Sequence, residues 1–165
     1  MNKVLLISED TLKTYTLISE NLDGKYILPA IQLAQDVDLT YLIGEKLVNK
    51  ICQLITDNQL EGKYKTLLDE YITPYLCWQV MSTIQLGLNY KFSNSGLVGN
   101  DDERKSRLEY RQAQSLQEQY LRYADSYAHK MKKYICKTAF PEYECEDLQL
   151  CGIYLDSTNK SYIGK

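Results

Sequence analysis

One histidine, one tryptophan, two phenylalanines and three prolines are all that the 165 residues supply of those types. A lone imidazole, His129, cannot assemble a zinc site, which needs several nitrogen or sulfur ligands brought together. The five cysteines, Cys52, Cys77, Cys136, Cys145 and Cys151, contain no CxxC pair. Two of them sit in the apolar contexts NKICQLI and YLCWQV, as buried free thiols of a reducing compartment would. There is no GxxxxGK, GxGxxG, HExxH, EF-hand loop or GxSxG. The glycines of SGLVG follow no predicted strand, so they make no phosphate loop. Neither an enzyme nor a bound metal or cofactor is expected. No apolar run approaches the ~18 residues of a membrane span, and MNKVLLISEDTLK has too short a hydrophobic stretch for a signal peptide. The protein is therefore expected in the cytoplasm where it is made, with no membrane partner. A net charge of −3 leaves no global basic footprint for gripping nucleic acid by its phosphates.

What the chain does have is 44% hydrophobic and 25% charged residues, the proportions of one folded domain. It also has 15 tyrosines. Tyrosine joins a large apolar ring to a polar tip, which suits the wet seams between helices or between subunits.

Periodicity predicts a mainly α fold. NKVLLIS is a short β-prone start, after which Ser8 or Asp10 caps a helical turn. Asp23 and Gly24 mark a turn. Beyond it Ile31, Ala34, Val37, Leu42, Ile43, Leu47, Ile51, Leu54 and Ile55 recur at helical spacing, with Pro29 in a first turn and a break near residues 36–38. Tyr64, Leu67, Leu68, Tyr71, Ile72, Tyr75, Leu76, Gln79, Val80, Thr83, Ile84 and Leu86 trace the broadest apolar stripe, a core helix that Pro74 should kink. FSNSGLVGNDDER then reads as a hinge loop with an apolar tip. Asp101 or Asp102 caps a long helix over 103–137, marked by Leu108, Leu116, Tyr120, Tyr123, Ala124, Tyr127, Met131, Tyr134 and Ile135. After FPEYECED the chain holds two short β-prone runs, 148–155 and 161–163, around DSTNK. The acidic pairs of SED and ECED read as solvated surface.

Taken in order, LISEDTLK, LPAIQLAQDVDLTYLIGEKLVNKI, LLDEYITPYLCWQVM, YKFSNSGLVGNDD, YAHKMKKYI and FPEY resemble the helical head-to-tail connector proteins of tailed bacteriophages. Within that family the similarity is greatest to the ring or adaptor proteins in the neck of crAss-like phages and Bacteroides prophages. It covers roughly residues 3–145. The resemblance implies an antiparallel helical bundle with a long C-terminal helix, a kinked core helix and short β-prone N- and C-terminal arms. Residues 1–146 would form the connector domain and 147–165 an extended arm. It implies a structural virion protein whose copies, commonly twelve, close a ring that joins the portal to downstream tail or ring proteins. DNA would pass through that ring without specific binding, which an acidic chain allows.

Candidate contacts to neighbours are the apolar residues of segments with no core of their own: Phe92, Leu97 and Val98 in the loop, and Ile153, Tyr154, Leu155, Tyr162 and Ile163 in the arm. Lys130, Lys132, Lys133 and Lys137, beside His129, either complement the C-terminal end of a helix dipole or meet an acidic partner or passing DNA. The alternative function is a small packaging-accessory or regulatory module that touches DNA through this basic end.

Overall fold

The computed structural model describes residues 4–19, 21–93, 96–99 and 110–143, and for 85–93, 96–99 and 110 the backbone alone. These residues are mainly helical. Ser8, of the two expected caps, starts α1 (Glu9–Tyr15): its hydroxyl oxygen accepts from the Thr11 N–H at 3.0 Å, while Glu9 and Asp10 put negative charge in the first turn. Asp23 starts α2 (Gly24–Leu33) in the same way, accepting from the Lys25 N–H at 3.1 Å. Pro29 consequently lies inside α2 instead of opening it. The capping carboxylate, six residues earlier, decides where the helix begins.

The expected break at residues 36–38 is absent. There α2 widens into a π-helical segment, π1 (Ala34–Leu39), and then resumes as α3 (Thr40–Ile43). Its stop is Gly44, whose φ of 82° and ψ of 147° suit only a residue without a Cβ. A π turn takes more residues than an α turn, so it rotates the apolar phase. Buried positions fall four apart at Ile31, Gln35, Leu39 and Ile43, and Val37, expected inside, is 55% exposed.

The β-prone start forms no strand over residues 4–8. No backbone edge is offered to it there; an amide side chain takes that place. Gln35 Oε1 accepts from the Leu6 N–H at 2.9 Å, and Gln35 Nε2 donates to the Val4 carbonyl at 3.0 Å. The buried Gln35 side chain thus pairs with both a donor and an acceptor of the N-terminal segment and brings Leu6 and Ile7 into the core.

After α4 (Glu45–Thr56), which buries Leu47, Val48 and Ile51, the chain turns through Asn58 at φ 54°. It then runs as α5 (Gly62–Thr66), π2 (Leu67–Ile72) and α6 (Thr73–Asn89) with no loop between them. Pro74 has no N–H to donate, and the widened turn of π2 lies directly before it. Around this helical run are packed α2 with π1, α1, and the long α7 (Tyr110–Thr138). Leu67, Ile72 and Leu76 meet Ile27, Ile31, Met131 and Ile135 in one fully buried core.

The α6–α7 seam is aromatic. Tyr64 meets Phe140 edge-on at 5.2 Å, Tyr71 stacks on Tyr134 at 4.7 Å, and Trp78 contacts Tyr120 at 5.7 Å and Tyr123 at 5.0 Å. Partners descend as the first residue ascends, so the two helices are antiparallel. The tyrosines occupy the half-buried edges of the seam, where ring faces pack and hydroxyls reach polar groups.

FSNSGLVGNDDER is not a hinge loop in its first half. Tyr90–Ser93 and Gly96–Gly99 form an antiparallel hairpin, β1 and β2, pairing Tyr90 with Gly99, Lys91 with Val98, Phe92 with Leu97 and Ser93 with Gly96. Aromatic residues at alternate sites of β1, Tyr90 and Phe92, opposite a strand that carries Leu97 and Val98, favour such pairing over coil. The expected cap at Asp101 or Asp102, and Leu108, lie outside the described residues, within which α7 begins at Tyr110.

Candidate functional site

The FPEY motif has a packing role. Phe140 is buried, and between it and the end of α7 at Thr138 stands Ala139, whose φ of 54° turns the chain back. Lys63 Nζ donates to the Ala139 carbonyl at 2.9 Å, satisfying one of the acceptors a helix C-terminus leaves open. The Tyr64 hydroxyl donates to the Glu142 carboxylate, 2.8 Å and 3.0 Å from its two oxygens, and the Tyr134 hydroxyl donates to the Lys63 carbonyl at 3.3 Å. This latch fastens the end of α7 to the start of α5.

Burial, the hydrogen bond to Glu142 and that carboxylate's charge together push the Tyr64 phenol up to about 12. Its folded value lies above its unfolded one, so its stabilising contribution is complete below about pH 10 and is lost as pH rises toward 12. Denaturation by urea between pH 8 and 11.5 should show stability falling above pH 10, and Tyr64→Phe should lessen that fall, leaving the part due to the Tyr75 phenol, which burial also pushes up. An unchanged slope in the variant would remove Tyr64 as its source.

Of the expected loop contacts, Phe92 and Leu97 are register partners in the hairpin, and Val98 is paired with Lys91. Successive strand positions alternate between faces. Leu97 and Val98 therefore occupy positions of opposite faces and cannot both serve one flat contact. The arm residues Ile153, Tyr154, Leu155, Tyr162 and Ile163 lie outside the described residues.

The basic cluster is sorted by helix phase. Lys130, Lys133 and Lys137 are exposed and share one face of α7, which Arg122 and Ser126 continue toward its N-terminal half. Lys132 instead is half-buried. Ala124, Ala128, Met131 and Ile135 occupy the opposite, core-facing side. Lys130 Nζ also sits 4.9 Å from the centre of the Tyr127 ring. His129 Nδ1 lies 2.8 Å from the Asp125 carbonyl, an oxygen that can only accept, so Nδ1 carries the proton.

One surface escaped the sequence reading. Leu28, Leu33, Val37 and Tyr41 are 40%, 49%, 55% and 72% exposed, along the outward side of α2, π1 and α3. From Leu33 onward they recur every four residues, in step with the buried row of Ile31, Gln35, Leu39 and Ile43 two residues out of phase. A period-3.6 template merges the two rows, which is why Val37 was assigned inward. Asp36 and Glu45 are exposed beside the stripe and Asp38 is half-buried; no Lys or Arg occurs between Lys25 and Lys46.

Among the described residues, no three His, Cys, Asp or Glu side chains are grouped to hold a metal ion. Cys77 and Cys136 are free thiols, and burial pushes the Cys77 thiol up to about 12, far from a reactive thiolate. Ser115, Glu118, Gln119, Arg122 and Tyr123 line a shallow polar depression, in which Gln119 Nε2 donates to the Tyr123 hydroxyl at 2.7 Å. No described helix is long and apolar enough to cross a membrane.

The profile of a protein family of unknown function, DUF6712, matches residues 39–149, more than half of the chain. The protein belongs to DUF6712. No curated protein and no solved structure matches it. The DUF6712 segment begins at the last residue of π1 and takes in the core helix, the hairpin, α7 and the FPEY latch. Within this DUF6712 chain, Gln35 and its hold on the N-terminal segment lie before the match, as do Leu33 and Val37 of the exposed stripe.

Proposed function

We propose that this DUF6712 protein is a structural, non-enzymatic component of a tailed-phage virion. Its copies, commonly twelve in such connectors, form a ring in the neck that joins the portal to tail or further ring proteins and extends the DNA channel. The observation that carries the reading is the exposed stripe of Leu33, Val37 and Tyr41: an apolar helix face turned to solvent is a surface made to be covered by protein. The sequence resemblance to neck connectors supplies the setting. In this reading the core helix bends at π2 and Pro74, the hairpin reaches a neighbour, and residues 147–165 are an extended arm whose β-prone runs add to a partner's sheet edge. A two-stranded ribbon is marginal by itself in water, which favours a partner for β1 and β2 as well.

Replacing Leu97 and Val98 by Ser is expected to leave thermal unfolding of the isolated chain within a few degrees of the parent while weakening ring formation, scored by negative-stain microscopy. Collapse of the fold would return the hairpin to the chain's own core.

The second reading, a packaging-accessory or regulatory module that contacts DNA, is favoured by the single exposed face shared by Lys130, Lys133 and Lys137. Gel retardation of a DNA duplex at about 0.15 M salt separates the two. The connector reading expects closed rings and no stable shift. A stable dimer that shifts DNA, with the shift abolished by Lys130→Glu, Lys133→Glu and Lys137→Glu together, would replace the connector by the DNA-binding module.

A further inference from the structure

The apolar stripe and the basic face lie on different helices, and each has a feature the other lacks. The first presents Leu33, Val37 and Tyr41 with Asp36, Asp38 and Glu45 nearby and no cation along its length from residue 26 to 45. The second presents Lys130, Lys133 and Lys137 on exposed α7, with the aliphatic stems of those lysines and the edge of the 40% exposed Tyr123 available for apolar contact. Both helices pack on α6, each through its inner row: Ile27, Ile31 and Ala34 on one, Ala124, Ala128, Met131 and Ile135 on the other. The outer row of each helix is therefore turned away from the α6 on which both helices pack.

We infer that the outward face of α2, π1 and α3 docks on the outward basic face of α7 in a second copy of this chain. Val37 and Tyr41 form the apolar centre, with Lys130 and Lys133 set against the acidic fringe. The two contacting surfaces differ, so the contact is heterologous: every copy offers one free stripe and one free basic face, and repetition either closes a ring or continues as a filament. Apolar burial supplies attraction, whereas the opposed charges fix which face is met and speed encounter. The π-helical pitch is what makes the stripe, because it keeps positions 33, 37 and 41 in one row outside while Gln35 and Leu39 stay within. This contact rests on the ring reading for its setting and names the partner surface within it. The chain's own residues 144–165 are the competing occupant.

Photocrosslinking of the full-length chain tests it. Val37 is replaced by p-benzoylphenylalanine, and equal amounts of 14N- and 15N-labelled protein are mixed at about 1 mM, where a contact of about millimolar Kd is well populated. After illumination, mass spectrometry of the peptides should show position 37 joined to the 122–137 segment, with mixed-isotope pairs making up about half. Lys130→Glu with Lys133→Glu should lower the yield of those pairs about tenfold, and raising the salt to 0.5 M should lower it in the parent but little further in the variant. Circular dichroism of both proteins should be unchanged, since the substituted side chains are exposed. Single-isotope pairs only, capture of residues 144–165, capture of another face, or no pair at all would each overturn the docking. Microscopy of the same mixture keeps the two levels apart: open filaments with 37-to-122–137 pairs uphold the contact and refute the ring, whereas closed rings crosslinked elsewhere uphold the ring and refute the contact.

Discussion

Leu76→Ala is expected to lower the free energy of unfolding by about 2–5 kcal/mol, the range for removing a large aliphatic side chain from a core that cannot collapse around the gap. Leu76 is fully buried in the middle of the helical run that the other helices pack against. It belongs to the buried cluster to which α2 contributes Ile27 and Ile31 and α7 contributes Ala128 and Met131. Urea denaturation followed by circular dichroism measures the loss, and an unaltered m-value would show that the cavity, not a looser native state, is its cause. A loss below about 1 kcal/mol would mean that α6 is not the centre of the fold.

Gln35→Leu should cost about 2–4 kcal/mol even though it makes a buried position more apolar. The Leu6 N–H and the Val4 carbonyl would lose their partner together, and a buried polar group left unpaired forfeits its desolvation cost without a return bond. The signature is local. Hydrogen exchange at the Leu6 amide should rise to the rate of an exposed chain, while amides in the middle of α6 slow or speed only as global stability dictates. Retained protection at Leu6 would show that the N-terminal segment is held by its apolar side chains, Leu6 and Ile7, and not by the glutamine.

Gln35 also shows where sequence and structure part. Apolar spacing placed α4 and the seam side of α7 correctly, because in those stretches α-helical phase runs unbroken from Leu47 to Ile51 and from Ala124 to Ile135. It failed across π1. A widened turn carries no residue signature of its own, so a fixed period of 3.6 put Val37 inside and said nothing of Gln35, which the structure buries. The stop at Gly44 was equally hidden: only the backbone shows that this glycine, and not the acidic pair before it, occupies the conformation that ends the helix. The hairpin was read as coil since Ser, Asn and Gly dominate its middle, although Phe92 and Leu97 pair across it. Tyrosine at seams was legible from its chemistry. The exposed stripe was not, because finding it requires knowing which of two interleaved apolar rows the core takes.

Cryo-electron microscopy of the particle that carries this chain, with the subunit located by a bound antibody fragment, is the most direct test of its assignment to the virion neck. A closed ring of copies at the portal vertex, with DNA on its axis and the α2–α3 face of each copy against α7 of the next, is the expected result. Purified particles from which the chain is absent, or in which it lies away from that vertex, would contradict it.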